Sequence, residues 1–223
     1  GGTESLISTL NEKTNKEQIK LNTKVVSVED TDDEIVVESS KGEKFTADKV
    51  ILSLPPQLVG SDIKFTPELP GDISSVLPEV QTWMAGCIKF VLEYEEPFWR
   101  KNGYSGMLFS HAGIVSEMYD HTNFEEDKFG FTGFLNSGTS SYTKEFRKEL
   151  VLKQLEELLG KDATSPLSYH EKVWTDEFTL SDNQLINMPH QNNGHQLFQE
   201  SYMGGKLFFS GTESVDEFSG YME

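Results

Sequence analysis

Cys87-Ile88-Lys89-Phe90-Val91-Leu92-Glu93-Tyr94 is an apolar run interrupted by one cation, and its reading decides the fold. Such a run suits a strand of a sheet with one covered face. On period-two alternation Lys89 shares a face with Cys87 and Val91. A lysine in that setting either reaches solvent along its stem or is held in a polar pocket, where desolvation suits it to proton handling. Gly106–Ser110, Ile114–Tyr119 and Phe129–Leu135 extend the pattern into an antiparallel sheet, and a further strand covers Tyr169–Trp174. Thr143 opens a helix whose apolar stripe is Phe146, Leu150, Val151, Leu155, Leu158 and Leu159, with Gly160 as its stop.

Upstream, Thr3–Leu10 has helical spacing. Ile19–Val28, Glu34–Ser39, Lys44–Ala47 and Lys49–Leu54 read as a small antiparallel meander. Asp32-Asp33 and Lys41-Gly42 supply its turns, and Pro55-Pro56 ends it. Phe65-Thr66-Pro67-Glu68-Leu69-Pro70 reads as an irregular crossover, and 176–204, rich in Asn and Gln, as a long loop. Within that loop His190 and His195 lack a Cys or carboxylate at ligand spacing, so they read as surface residues and no metal is expected. Trp174, Phe218 and Tyr221 either line a pocket or fill the core.

Lys206-Leu207-Phe208-Phe209-Ser210 is a strand that runs into Gly211-Thr212-Glu213, followed by Ser219-Gly220 and an aromatic residue. Glycine after a strand allows close backbone approach to a ligand, although an ordinary strand and turn has the same pattern. A hydrophobic content of 36% over 223 residues is enough for a buried core. The 37 acidic against 19 basic residues give a net charge of −18, which argues against nucleic acid and anionic membrane surfaces as partners. No apolar run approaches the roughly 18 residues of a spanning helix. The single cysteine, Cys87, excludes an internal disulfide and fits a reducing, cytoplasmic setting.

Ile88 through Arg100, with its lysine and its Glu96-Pro97-Phe98-Trp99-Arg100 ending, resembles the flavin-containing monoamine oxidases. So does Ser210-Gly211-Thr212-Glu213 through Gly220-Tyr221-Met222-Glu223, and the resemblance covers nearly the whole chain. It implies that Lys89 holds a water against flavin N5 to assist reoxidation by dioxygen, and that Tyr221 is one wall of an aromatic cage for a neutral amine. It also implies that Met222 approaches the pyrimidine edge of the isoalloxazine. Gly211, Thr212, Glu213 and Gly220 then belong to the flavin motif, Val25 lies in the strand that meets the adenine, and Trp174 lies close to the flavin.

Two departures stand out. Thr179-Leu180-Ser181-Asp182-Asn183-Gln184 replaces the family's Gly-Gly-Cys/Ser-Tyr segment, which leaves no cysteine for covalent attachment and no assignable second cage wall. The strand–Gly-x-Gly-x-x-Gly–helix unit and the tail after the flavin motif are absent from this sequence, so weak or no flavin binding is expected of the 223-residue piece. The reading is an α+β chain with an antiparallel or mixed sheet substrate domain and a partial FAD-binding domain containing the meander. Residues 1–60 and 176–223 are assigned to the FAD-binding part and 61–175 to the substrate domain. The intact enzyme is expected to use non-covalent FAD to oxidise an amine and to pass electrons to dioxygen. Another FAD-dependent oxidoreductase of the same fold and a non-catalytic scaffold remain alternatives.

Overall fold

A computed structural model describes residues 3–82, 84–174 and 190–220. Helices are α1 (Thr3–Lys13), α2 (Pro56–Asp62), α3 (Gly71–Val76), α4 (Phe98–Lys101) and α5 (Lys144–Leu159). Strands are β1 (Val25–Asp30), β2 (Ile35–Ser39), β3 (Lys44–Ala47), β4 (Val50–Leu52), β5 (Lys64–Thr66), β6 (Ile88–Tyr94), β7 (Leu108–Phe109), β8 (Val115–Asp120), β9 (Phe129–Leu135), β10 (Ser168–Val173) and β11 (Leu207–Phe209). The fold is mixed α+β, and the chain divides into two compact units, Gly1–Leu10 with Ala85–Thr179 and Asn11–Met84 with Leu180–Glu223.

The first unit is organised by an antiparallel sheet in the order β10-β6-β9-β8-β7. Alternation along β6 buries Ile88, Phe90, Leu92 and Tyr94, while Lys89 is exposed and Val91 and Glu93 are half-buried. The buried face joins Val151 and Leu155 of α5 in one core. Thr143 caps α5 by accepting a hydrogen bond from the Phe146 N–H, and Gly160 ends the helix at φ 91°. The stripe expected on α5 needs correction, because its fully packed row is Arg147, Val151 and Leu155, whereas Phe146 and Leu158 are each 45% exposed. Residues four apart share a helix face; Phe146 lies off that row, and Leu158 sits in the last turn.

Arg147 is buried because every direction of its fork finds an acceptor. Nε and Nη2 donate to the Glu171 carboxylate, Nη2 at 2.6 Å, and Nη1 donates to the carbonyls of Thr139, Ser140 and Tyr142. Tyr169 also donates to Glu171, at 2.6 Å. Burial pushes the Glu171 carboxyl up, but the guanidinium and the phenol outweigh it and hold the group below its ordinary value.

Family-like residues at the end of β6 also pack. Phe98 and Trp99 are buried with Tyr94 and Phe131, and the Trp99 indole N–H donates to Asp120 at 2.8 Å. Arg100 adds a bond to the same carboxylate at 2.6 Å. Burial raises the Asp120 carboxyl, yet bonds from Arg100, Thr122 and Trp99 take it down to about 2. Gly106, at φ 77°, turns the chain where a Cβ would stand 2.8 Å from Asp120 Cβ and 3.0 Å from the Trp99 ring.

In the second unit β3-β2-β1 forms the expected meander, but β1 starts only at Val25, because Asn22 takes a left-handed φ of 54° that interrupts the extended run. Two further expectations are overturned. Val50–Leu52 leaves the meander and pairs in parallel with β11, and the first two residues of the supposed crossover, Phe65 and Thr66, belong to β5, which pairs in parallel with β1. Both partners are distant in sequence, so local periodicity carried no trace of them. Lys206 closes the arrangement, donating to Asp30 Oδ1 and to the Asp32 carbonyl, both at 2.6 Å.

Removing one partner of a buried, fully hydrogen-bonded pair leaves an uncompensated charge, so Arg147→Met should cost about 3–5 kcal/mol in denaturant unfolding followed by circular dichroism. Glu171 and Asp120 are both depressed in the folded state. Their stabilisation is complete above the unfolded value of about 4 and is lost as pH falls through the folded values. Unfolding free energy should therefore fall between about pH 5 and pH 2, with a smaller loss on that acid limb in Asp120→Asn.

Candidate functional site

Lys89 projects from the face of the five-stranded sheet opposite α5, with Nζ 5.8 Å from the centre of the Phe134 ring. Register sets its row, since Lys89 pairs with Phe134 on β9 and Lys172 on β10, and Phe134 pairs with Glu117 on β8. Trp174 follows β10, 37% exposed, its N–H donating to the Cys87 carbonyl at 3.1 Å and its ring 5.7 Å from Lys172 Nζ. Lys89 thus lies on β6 and Trp174 directly after its neighbour β10 in the same sheet. Burial pushes the Cys87 thiol up more than the Lys89 charge draws it down, which keeps it protonated at neutral pH. Farther along the same face Val91, Glu93, Ser168, His170 and His121 line a cavity of about 470 Å³.

Val25, Gly211, Thr212, Glu213 and Gly220 fall in the other unit, where β4 links them. Val25 shares a cavity of about 350 Å³ with Val50, Leu52 and Leu54. After β11 the Ser210 N–H donates to the Leu52 carbonyl, and the chain turns through Gly211, whose N–H donates to Ser214 Oγ at 3.2 Å. A Cβ on Gly211 would stand 3.0 Å from Glu213 Oε2 and 3.6 Å from the Leu54 carbonyl, so the bare backbone leaves room for the Glu213 carboxylate. Glu213 is buried, Thr212 is exposed, and Gly220 at φ 88° donates to the Thr212 carbonyl. Tyr221 and Met222, together with the departing segment Thr179–Gln184, lie outside the described residues.

The loop at His190 reads differently in three dimensions. His190 is exposed and shares a hydrogen bond with Ser219 Oγ at 3.3 Å, and His195 accepts from the Leu197 N–H to cap a short turn. Among the described residues no cluster of His, Cys, Asp and Glu could hold a metal. Gly194, at φ 68°, donates its N–H to the Glu213 carbonyl, and a Cβ there would fall 2.5 Å from Asp216 Cα. The loop therefore braces the Gly211–Gly220 turn, a role that no local sequence signal carried.

The chain belongs to the flavin containing amine oxidoreductase family. Its profile matches residues 1–223. The chain is 30% identical over 217 residues to human amine oxidase [flavin-containing] B, covering 93% of this chain and 41% of that protein. It is 26% identical to a probable flavin-containing monoamine oxidase A of Dictyostelium discoideum, covering 100% of this chain and 49% of the relative. Among solved structures, putrescine oxidase bound to putrescine superposes with a TM-score of 0.79 at 25% identity, over 99% of this chain and 49% of that one. Cyclohexylamine oxidase from Brevibacterium oxydans shares the fold at a TM-score of 0.83. The chain thus spans less than half the length of these relatives.

A flavin is the cofactor this family implies, and two features of the chain fit one. The first is the bare backbone at Gly211. The second is a set of buried oxygens, Thr82 Oγ1, Gln191 Oε1 and Asn193 Oδ1, that carry no hydrogen bond, the latter two in the loop that braces the motif. Buried acceptors of this kind are completed by water or by a donor-bearing ligand. Gly194→Ala should cost about 1–3 kcal/mol, because it forces a side chain into a left-handed, occupied position, and a melting curve measures it directly. Gly211→Ala, facing only the movable end of Glu213, should cost less.

Proposed function

We propose that the intact protein is an FAD-dependent amine oxidase. Its reaction takes a hydride equivalent from the carbon beside an amine nitrogen and a proton from that nitrogen, gives an imine that water hydrolyses, and passes the two electrons and two protons to dioxygen to give hydrogen peroxide. A bound flavin supplies the electron acceptor and the route to dioxygen. The observation that carries the reading is the row containing Lys89, Phe134 and Lys172, with Trp174 beside it. It sets a cation among aromatic rings on the sheet face opposite α5, in a chain of this family.

In this reading Lys89 holds a water through its ammonium and assists proton delivery during reoxidation. Trp174 and Phe134 exclude bulk water around it, and the cavity beyond Val91 accommodates the body of the amine. Val25, Gly211, Thr212, Glu213 and Gly220 hold the cofactor without a covalent bond, since the single cysteine, Cys87, lies next to β6 and away from those residues in sequence. Tyr221 aligns the neutral amine and Met222 contacts the isoalloxazine edge.

Titrating FAD into the full-length protein, followed by peroxide release from a panel of amines, tests the assignment. Tight non-covalent binding with amine-dependent peroxide is expected, and an absence of both would retire it. Lys89→Met should slow flavin reoxidation by about 10²-fold while leaving reduction by the amine near normal, as stopped-flow absorbance would report.

A further inference from the structure

Asp120 is the last residue of β8, and each of its carboxylate oxygens meets two donors. Oδ2 accepts from the Trp99 indole N–H at 2.8 Å and from Arg100 Nε at 2.6 Å. Oδ1 accepts from the backbone N–H of Thr122 at 2.9 Å and from its hydroxyl at 2.6 Å. One oxygen thus faces the buried corner after β6, and the other faces the loop that begins at His121. That loop is held at further points. Arg100 Nη1 donates to Glu126 Oε1 at 2.9 Å, and Asn123 Oδ1 accepts from the backbone N–H groups of Asp127 and Lys128 at 3.1 and 2.8 Å. Side chains that bond backbone amides in this way replace the ladder partners that a loop lacks. Residues 121–128 therefore keep one shape without entering the core cluster of the sheet.

The same loop is one wall of the cavity of about 470 Å³ that Val91 and Glu93 also line. Its root is fixed by register, since the His121 N–H donates to the carbonyl of Gly130 at 2.8 Å and Gly130 pairs with Glu93 on β6. Glu93 is four residues along β6 from Lys89, and at roughly 3.3 Å per residue the wall rises about 13 Å from the lysine. Within the wall the side chains of Thr122 and Asn123 are occupied by the loop's own hydrogen bonds. Phe124 instead contributes an aromatic ring to the cavity.

We propose that Phe124 is a specificity-determining residue for the amine and that Asp120 is the positioning residue that sets it. The carboxylate clamps the loop to the Trp99 corner, the loop holds the ring against the cavity, and the ring gains contact from the apolar chain of an amine long enough to reach it. The role of Phe124 rests on the cavity taking the body of the amine, as in the function proposed above, whereas the clamp stands without it. Asp120→Asn keeps the size of the side chain but replaces one acceptor oxygen with an NH₂ group, which must then face donors on one side of the clamp. Either the corner or the loop loses its acceptor.

The test uses the full-length protein and a series of linear primary amines from butylamine to decylamine. Peroxide release gives kcat and KM for each, and hydrogen exchange reports the loop amides. Phe124→Ala should raise the KM of decylamine about tenfold with kcat kept within about twofold, and should raise the KM of butylamine far less. Asp120→Asn should reproduce that split and speed exchange at the Thr122 amide. Thr122→Val, which removes only the hydroxyl bond, should have a smaller effect of the same kind. Phe124 is 95% exposed, so its truncation should leave the fold intact, and melting temperatures check it. Equal changes for short and long amines in Phe124→Ala, or a Thr122 amide as protected in Asp120→Asn as in the parent protein, would overturn the proposal. A parent protein that oxidises none of these amines would instead retire the function proposed above and the role of Phe124 with it, while exchange at Thr122 would still decide the clamp.

Discussion

Burial of Arg147 determines which face of the five-stranded sheet is closed. A guanidinium can leave water only if its donors are met, and here the Glu171 carboxylate and three carbonyls of the segment before α5 meet them. The carboxylate comes from β10 and the guanidinium from α5, so the pair fastens the helix to one face of the sheet. Val151 and Leu155 then follow on the same helical row into the core. With that face covered, strand alternation sends Lys89, Val91 and Glu93 to the other side. The exposure of Lys89 is thus a consequence of packing beneath it.

The residues that make the sequence resemble its family divide between packing and chemistry. Phe98 and Trp99, the rarest part of the stretch after β6, fill the core, and Arg100 locks Asp120 together with the indole. Their fixed spacing reflects a corner that must close without voids and with each buried polar atom satisfied. Lys89, a few residues away, has no such packing role. In the second unit the same division holds: Phe209 packs and Gly211 leaves backbone bare, while β4 serves both the apolar cavity at Val25 and the turn after β11.

Much of the fold was legible locally. Phe129–Leu135 matches β9 residue for residue, and Thr143 and Gly160 bound α5 as their capping chemistry requires. Legibility failed where a partner lay far along the chain. Val50–Leu52 looks like one more strand of the meander, and only its parallel pairing with Leu207–Phe209 moves it to another sheet. Arg147 is not legible as a core residue from the stripe alone, because a buried arginine is recognisable only once its acceptors are known. The Asn-rich loop at 190–195 shows no local sign of its bracing role, since its bond to the Glu213 carbonyl and its fit against Asp216 cannot be read from composition.

By itself the sequence determined the alternation that puts Lys89 on a different face from Phe90 and Leu92, the ends of the long helix, the glycine after the last strand, and membership of a flavin-containing family. These follow from interactions between residues a few positions apart, or from motifs contiguous in the chain. Tertiary structure decided which face of the sheet is covered, that Lys172 opposes Lys89 with each ammonium over its own ring, and that a loop without any motif braces the glycine turn. Those outcomes depend on strand register and on packing between distant segments, and the free energy that selects them is shared across contacts that no short stretch of the chain contains.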